Sequence, residues 1–454
     1  MHQIFSLLFK HTRTFFAVLV LFSLPSVLVA AEPDCDFALR DMVQAREFRL
    51  AYYCAEQQLA SDPDNIDAML VLARAAQELG QMERADELAK TARTYDLTTG
   101  QRFAAYLISG MAQASQQNLT SAKILIYRAS DFARLEPEHE IIRRVLAQIN
   151  TQSPWRFSLG GNILPSTNIN SGSMHDTFEL GGFEFVLNDD AKAQSGIGYT
   201  ASASATHQRR ISNRTIWESS VSLSGTAYDG RGRNDAQYTL QSGLRYAPKS
   251  EASSLIYGYT AFDKRYIGEE IGGPAFDEYT PYYSQLTFGL EYHRQPDAAS
   301  AWRVFATYTD RVSDVSPVLD AQITTVGGGY TFALNDNVTL ALSGFVQDTQ
   351  SDSADAAAAA SNLTAAMTWT LDTLPITFSG NLGVTHTDYR ILLGIYNERR
   401  VDDDVTLELA LTHDDIQFYG FNPTFGLRAV RNYSNNIRYD TQTVEAFTRL
   451  GTSF

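Results

Sequence analysis

The chain carries two hydrophobic periodicities, and they meet near residue 153. Before that point, apolar residues recur at three and four spacing: Met69, Leu72, Ala73 and Ala76, then Ala85, Ala89 and Ala92. That spacing puts them on one stripe of a helix. Beyond Trp155 the period is two. Val405, Leu407, Leu409 and Leu411 alternate with Thr406, Glu408, Ala410 and Thr412. Leu286, Phe288, Leu290 and Tyr292 alternate with Gln285, Thr287, Gly289 and Glu291. Trp217, Val221, Leu223 and Ala227 share a face opposite Glu218, Ser220, Ser222 and Ser224. Such alternation predicts strands with one apolar and one polar side.

The helical half is repetitive. Counting back 34 from Ala85 and Ala89 reaches Ala51 and Ala55, again small. Thirty-four is the tetratricopeptide period, which the segment resembles. Small residues at Ala73, Ala85 and Ala92 allow antiparallel helices to approach closely. Asp62-Pro63-Asp64-Asn65 punctuates the pattern, and Asp64 or Asn65 can cap the next helix. Pro137 follows Pro63 by 74 residues, six more than two periods, so the third unit slips. We expect two fair repeats, a degenerate one over about 101–134 and a capping helix at about 138–150. A generic helical bundle is the alternative. Helical repeats present a concave surface that holds peptide segments. Asp67, Arg74, Gln77 and Glu78 would line it as client-binding residues, against the plainer reading of a solvated helix face.

Many strand segments reach ten residues or more, enough to cross a bilayer when tilted. One apolar and one polar face is what a lipid-facing, water-lined barrel needs, and closure pairs every backbone group. Connections alternate between short and long. Short ones are Asp414 to Tyr419, Asp372-Thr373, Asn335-Asp336, Gln295 to Ala298 and Ala247 to Ser250. Longer ones are Asn432 to Asp440, Tyr389 to Asp402, Gln350 to Ala360, Val312 to Asp320 and Lys264 to Thr280. The segments number 15, and a bacterial barrel wants an even count, so about 14 strands are expected, with Trp155 to Ile163 the surplus one. A soluble β-sandwich is the competing reading. The fold class is thus α+β multidomain: tetratricopeptide-like repeats, then a transmembrane antiparallel β-barrel.

Composition sharpens this division. Only Gly80, Gly100 and Gly110 of 29 glycines precede residue 153, and all four tryptophans follow it. Mean hydropathy is −0.21, which suggests a soluble protein, but alternating strands average to such a value. The net charge of −16 argues against nucleic acid, whose affinity comes from basic patches. Lys10 and Arg13 precede an apolar run from Phe15 to Ala30, and Val29-Ala30-Ala31 offers a cleavage site. Residues 1–31 read as a signal peptide, leaving 32–153 as a periplasmic helical domain and 154–454 as an outer-membrane barrel. In that oxidising setting Cys35 and Cys54, 19 apart, are expected to form a disulfide across a first helical hairpin, with two free thiols as the alternative.

Enzyme chemistry is not apparent. There is no phosphate loop and no Gly-x-Ser-x-Gly elbow. The eight histidines are scattered, with no metal pair at helix or strand spacing. No catalytic, cofactor-binding or metal residues are assigned. Asp402-Asp403-Asp404 reads as a solvated strand start, and Ala356 to Ala360 as a low-complexity loop.

Two stretches carry a family resemblance. Asn162-Ile163-Leu164-Pro165-Ser166-Thr167-Asn168-Ile169-Asn170 is similar to a Pro-x-x-Asn-Ile-Asn entry to a barrel domain. Arg400-Val401-Asp402, Gly420-Phe421-Asn422-Pro423, Ser434-Asn435, Tyr439 and the terminal Arg449 to Phe454 are similar to a closing pattern. Together they resemble the Slam family, surface lipoprotein assembly modifiers of type XI secretion. The motif positions are Asn168, Asn170, Arg400, Asp402, Gly420, Pro423, Ser434, Asn435, Tyr439 and Phe454. The resemblance implies an outer-membrane translocon that moves a client lipoprotein or secreted protein from periplasm to surface. The repeats would hold the client and the barrel would give the path, through its lumen or at its seam. The terminal Phe454 resembles the signal read by the outer-membrane assembly machinery. A repeat-plus-barrel exopolysaccharide exporter and a general diffusion porin are the alternatives.

Overall fold

A computed structural model describes residues 35, 38–180, 183–229, 234–248, 253–268, 279–371, 373–393, 398–413, 416 and 421–453. The expected signal segment, residues 1–31, lies outside them, as do Gly420 and Phe454.

The described residues begin with seven helices: α1 (Leu39–Gln44), α2 (Phe48–Ser61), α3 (Ile66–Glu78), α4 (Met82–Ala92), α5 (Thr99–Ser115), α6 (Leu119–Ser130) and α7 (Glu136–Gln152). They stack as consecutive hairpins, with α7 closing the array. Local chemistry sets the ends. Asn65, not Asp64, caps α3, its side chain accepting from the Ala68 N–H at 3.0 Å. Thr98 and Gln101 make a reciprocal capping box on α5. Gly80 ends α3 at φ +81°, where the Gly80 and Gln81 amides donate to Gln77 and Ala76 in a left-handed stop that suits glycine. Ala51, Ala55, Ala85 and Ala89, the residues one period apart, are all fully buried. Gly110 lets α5 and α6 touch, since a Cβ there would come within 2.6 Å of the Ile126 side chain. Cys35 and Cys54 are disulfide-bonded, tying the segment before α1 to α2.

From Trp155 the chain is strand. Fourteen strands close an antiparallel barrel: β1 (Trp155–Ser166), β4 (Gly196–Ser212), β5 (Thr215–Tyr228), β6 (Asp235–Tyr246), β7 (Ser254–Gly268), β8 (Tyr279–Arg294), β9 (Ser300–Ser313), β10 (Ala321–Ala333), β11 (Val338–Ser351), β12 (Ala358–Thr370), β13 (Ile376–Leu393), β14 (Glu398–His413), β15 (Asn422–Ser434) and β16 (Thr441–Ser453). A small hairpin of β2 (Thr177–Leu180) and β3 (Phe183–Val186) lies outside the barrel, in the 167–195 connection. Closure joins the first strand to the last, β1 to β16.

Three expectations need correction. Trp155 to Ile163 is not surplus: it is the body of β1, which pairs on both sides and completes the even count. Its two glycines dilute the alternation, which is why the sequence undersold it. The Ala356 to Ala360 run is not all loop, because Ala358–Ala360 open β12 and pair with Tyr389, Asp388 and Thr387. The Tyr389 to Asp402 connection is largely strand, with β13 running to Leu393 and β14 starting at Glu398. The 167–195 connection is described except for residues 181 and 182.

Most strands alternate between the two faces. Leu159, Leu223, Leu290, Leu363, Leu409 and Leu427 stand outward and exposed. The other face is polar, and its glycines receive aromatic rings: a Cβ at Gly289 would overlap Tyr259, and one at Gly426 would overlap Phe447. No described helix is long and apolar enough to cross a membrane, which says nothing of the strands.

Candidate functional site

The outward face shows where the membrane ends. Trp155, Trp217, Trp302 and Trp369 all sit at strand ends on the short-turn side. Trp155 stacks on Phe157, Trp302 meets Tyr292 at 5.1 Å and Trp369 meets Phe378 at 6.0 Å. Indole rings suit the headgroup level, so this ring is an interfacial girdle. The count of tryptophans alone did not reveal it; their spacing from the turns could have.

On the helical side, α3, α5 and α7 enclose a groove of 630 Å³. Gln77 and Glu78 line it with Met82, Met111, Val145 and Gln148. Asp67 and Arg74 do not. Asp67 accepts from the Gln101 side chain at 2.8 Å, bracing α3 against α5. Arg74 turns along its own helix to Glu78 (2.5 Å) and Gln77 (3.1 Å). Met82 and Met111 were not singled out from the sequence; their pliable thioethers suit a surface that accepts varied segments.

Seven motif positions, Asn168, Asn170, Arg400, Asp402, Ser434, Asn435 and Tyr439, lie at the long-loop end, on β14, on the β15–β16 connection and on the 167–195 connection. Arg400 is nearly buried, with its guanidinium 3.7 Å from the Tyr389 ring centre and 3.8 Å from that of Tyr439. It pairs with Asp402 at 3.0 Å, and the Tyr439 hydroxyl donates to Asp355 at 2.7 Å. The planar cation sits between two rings, a site lysine would fill poorly. Asn435 donates to the Arg399 carbonyl and accepts from the Val401 amide, both at 2.8 Å, fastening the β15–β16 connection to β14. Ser434 accepts from the Asn436 amide at 3.1 Å. Pro423 lies at the other end of the barrel, in β15 opposite Leu450, apart from this cluster.

Asn168 and Asn170 fold the 167–195 connection. Asn168 closes a turn with Gly172 through two bonds, at 2.9 and 2.8 Å, and reaches the Gln442 carbonyl at 3.3 Å. Asn170 binds the returning limb at the Lys192 carbonyl, 2.7 Å away. The connection then clasps the other side of the seam. The Ser173 hydroxyl donates to the Ile437 carbonyl, the Met174 amide to the Asp440 carbonyl, and His175 meets the Asp440 carboxylate at 2.5 Å. Arg431 also pairs with Asp440. Burial raises the Asp440 pKa, but the bonds from Arg431 and His175 outweigh it and hold the carboxyl below its ordinary value. His175, Arg431 and Asp440 lie outside the quoted motifs and carry no local signal in the sequence.

Beneath this clasp the seam is thin. β1 pairs with β16 from Ser158↔Ser453 to Ile163↔Thr448 and again at Ser166↔Glu445, with Leu164 and Pro165 unpaired. Pro165 has no N–H to give a ladder. By contrast β15 pairs with β16 without a break from Asn422↔Gly451 to Asn432↔Thr441.

The lumen wall is polar where the alternation placed it. Glu291 binds Arg303 and His293 at 2.8 Å each, Gln285 accepts from Arg311 at 3.2 Å, and the Thr287 and Thr309 hydroxyls meet at 2.8 Å. Near the short-turn rim, Lys123 of α6 is 4% exposed. Burial lowers its pKa, and the positive charge of Arg156 adds to that.

Comparison with known proteins gives the chain its relatives. No curated protein matches it. Among solved structures, it is similar to a Pseudomonas aeruginosa FadL homologue: 10% identity, 74% of this chain and 93% of that one, TM-score 0.34. It is similar to the P. putida toluene transporter TodX: 8% identity, 66% and 90% covered, TM-score 0.37. Its helical part is similar to the second TPR domain of the human RPAP3 protein in complex with an HSP70 peptide: 20% identity, 25% and 88% covered, TM-score 0.22. The family model for surface lipoprotein assembly modifiers matches residues 155–454, the whole run from the first barrel strand to the last residue. The chain belongs to the surface lipoprotein assembly modifier family.

Proposed function

We propose that this protein is an outer-membrane translocon that carries a client lipoprotein from the periplasm to the cell surface. The helical domain stands in the periplasm, at the short-turn end, and its 630 Å³ groove holds an extended segment of the client. The client passes at the β1–β16 seam. One observation carries this reading: the connection folded by the motif residues Asn168 and Asn170 clasps the barrel's interrupted seam, with Asn168 reaching Gln442 across it. A ladder lacking bonds at Leu164 and Pro165 is the cheapest place to part the wall, because each retained pair must be broken against an apolar surround. Folding of the barrel itself is left to the outer-membrane assembly machinery, which reads the terminal strand.

The test is surface display. Intact cells making a candidate client lipoprotein, with and without this protein, are treated with external protease. Display that depends on the protein supports the reading, and equal display in both cells sinks it. A paired substitution, Gly161→Cys with Leu450→Cys, joins facing positions of the seam. Oxidation should block display and a reductant restore it; full display from the oxidised form would rule out the seam.

A further inference from the structure

The short-turn end of the barrel holds a second groove, 370 Å³, on the side away from the lumen. Its floor is the outward face of the strands beside the seam: Phe157 and Leu159 of β1, Ala203 of β4, and Val221 and Leu223 of β5. Its remaining wall is Thr120 and Ile124 of α6. Phe157 and Leu159 follow the girdle residue Trp155 by two and four positions. At about 3.3 Å per residue on a strand tilted about 40°, they stand roughly 5 and 10 Å from the girdle toward the bilayer centre. A helix of a water-borne domain thus encloses one strip of lipid-facing wall.

The peptide groove and this apolar groove adjoin. Gln117 lines the first and Thr120 the second, three residues apart across the α5–α6 turn. Gln152 lines the first and Phe157 the second, five residues apart across the domain joint. Three extended residues span at most about 11 Å and five about 18 Å. So a polar-edged groove for chain and an apolar groove for hydrocarbon lie within one short tether. A lipoprotein has that composition: a peptide segment continuous with acyl chains. Resting on the translocon reading, we infer that the groove between α6 and the β1–β4–β5 wall binds the acyl chains of the client lipoprotein while the helices hold its peptide. The contact would keep the anchor in hydrocarbon beside the seam as the polypeptide crosses.

The full chain in nanodiscs of phosphatidylethanolamine and phosphatidylglycerol is the material for the test. One probe is a synthetic peptide on a diacylglyceryl cysteine with a photoactivatable acyl chain. The other is a phospholipid bearing the same chain. Lipopeptide label is expected on Ile124, Leu159 and Leu223 in excess over Leu363, on a distant lipid-facing strand. Ala203→Trp, which fills the groove without adding charge, should cut that label about tenfold, since several methylenes lose their seat. Ile124→Gln, on the exposed side of a helix, is a second route to the same loss, and Leu363→Trp should leave the label unchanged. Equal labelling of groove and Leu363 by the lipopeptide, or the same groove excess from the phospholipid, overturns the proposal. The two readings fail separately. Client display that depends on the protein, with no groove excess of lipopeptide label in the unaltered chain, ends the acyl site and keeps the translocon. Groove label with display independent of the protein does the reverse.

Discussion

The helical domain and the barrel use apolar residues in opposite senses. In the helices the apolar positions face one another, and Leu72, Ile126 and Ile149 are almost wholly buried. In the barrel the large apolar residues face out: Leu363 is 65% exposed and Leu427 60%. The first arrangement is a core, which fixes volume at every position. The second is a coat for a fluid solvent, which fixes only polarity. A chain that reads as mildly polar on average holds both, because the average discards direction.

One substitution made in each region separates the two. Ala89 is fully buried and packs with Ala73, Ala76, Ala85 and Ile108. Ala89→Phe overfills that space and should cost the helical domain about 3 kcal/mol or more. Ala365 lies on the exposed outward face of β12, where Phe gains hydrocarbon contact worth about 1–2 kcal/mol. Denaturant titration of the helical circular dichroism reads the first, and the barrel's heat-induced gel shift reads the second. A destabilised barrel in the Ala365→Phe protein would mean that this face meets protein rather than lipid.

The disulfide sharpens the same contrast, because only the helical domain has one. Cys35 and Cys54 are 19 positions apart, and α1, at six residues, is too short to persist alone. Serine at both positions should cost the helical domain about 3 kcal/mol and leave the barrel's unfolding temperature where it was. A fall in both would show that the two regions unfold as one cooperative unit.

What the sequence revealed follows from what each region must specify. Period two and period 3.6 were plain because each governs dozens of residues. The seam was not, because β1 carries Gly160 and Gly161 in mid-strand and its partner β16 lies at the far end of the chain. The motif residues could be named, yet not their assembly. Arg400, Tyr389, Tyr439 and Asp355 come from four separate stretches that the curvature of the wall from β11 to β16 brings together. His175 and Asp440 are 265 residues apart, so no local pattern joins them. The four helical residues proposed for a binding face split for a local reason. Gln77 and Glu78 stand at the end of α3 that borders the groove, whereas Asp67 is engaged by Gln101 of α5 and Arg74 turns along its own helix.

The smallest expected effect lies at the clasp, which resembles the helical domain more than the barrel wall, since its hold depends on placed polar groups. Asp440 accepts from His175 and Arg431, and those bonds keep its pKa below the ordinary value despite burial. The sign follows from linkage. A carboxyl with a depressed folded pKa stabilises the closed form fully above its unfolded pKa, about 3.9, and that stability drains away as pH falls through the lower folded value. The clasp should therefore stay shut from neutrality to about pH 4 and loosen only in stronger acid. Hydrogen exchange of residues 168–175 at a series of pH values reads this directly. Asp440→Asn keeps the shape and removes the charge, so its exchange should be faster at neutral pH and nearly flat with acid. Opening of the wild-type clasp well above pH 4 would instead assign the response to a group other than Asp440. If exchange at 168–175 never changes while the β1–β16 amides exchange faster, the seam rather than the clasp is the weaker element, and the polar contacts at its end only follow it.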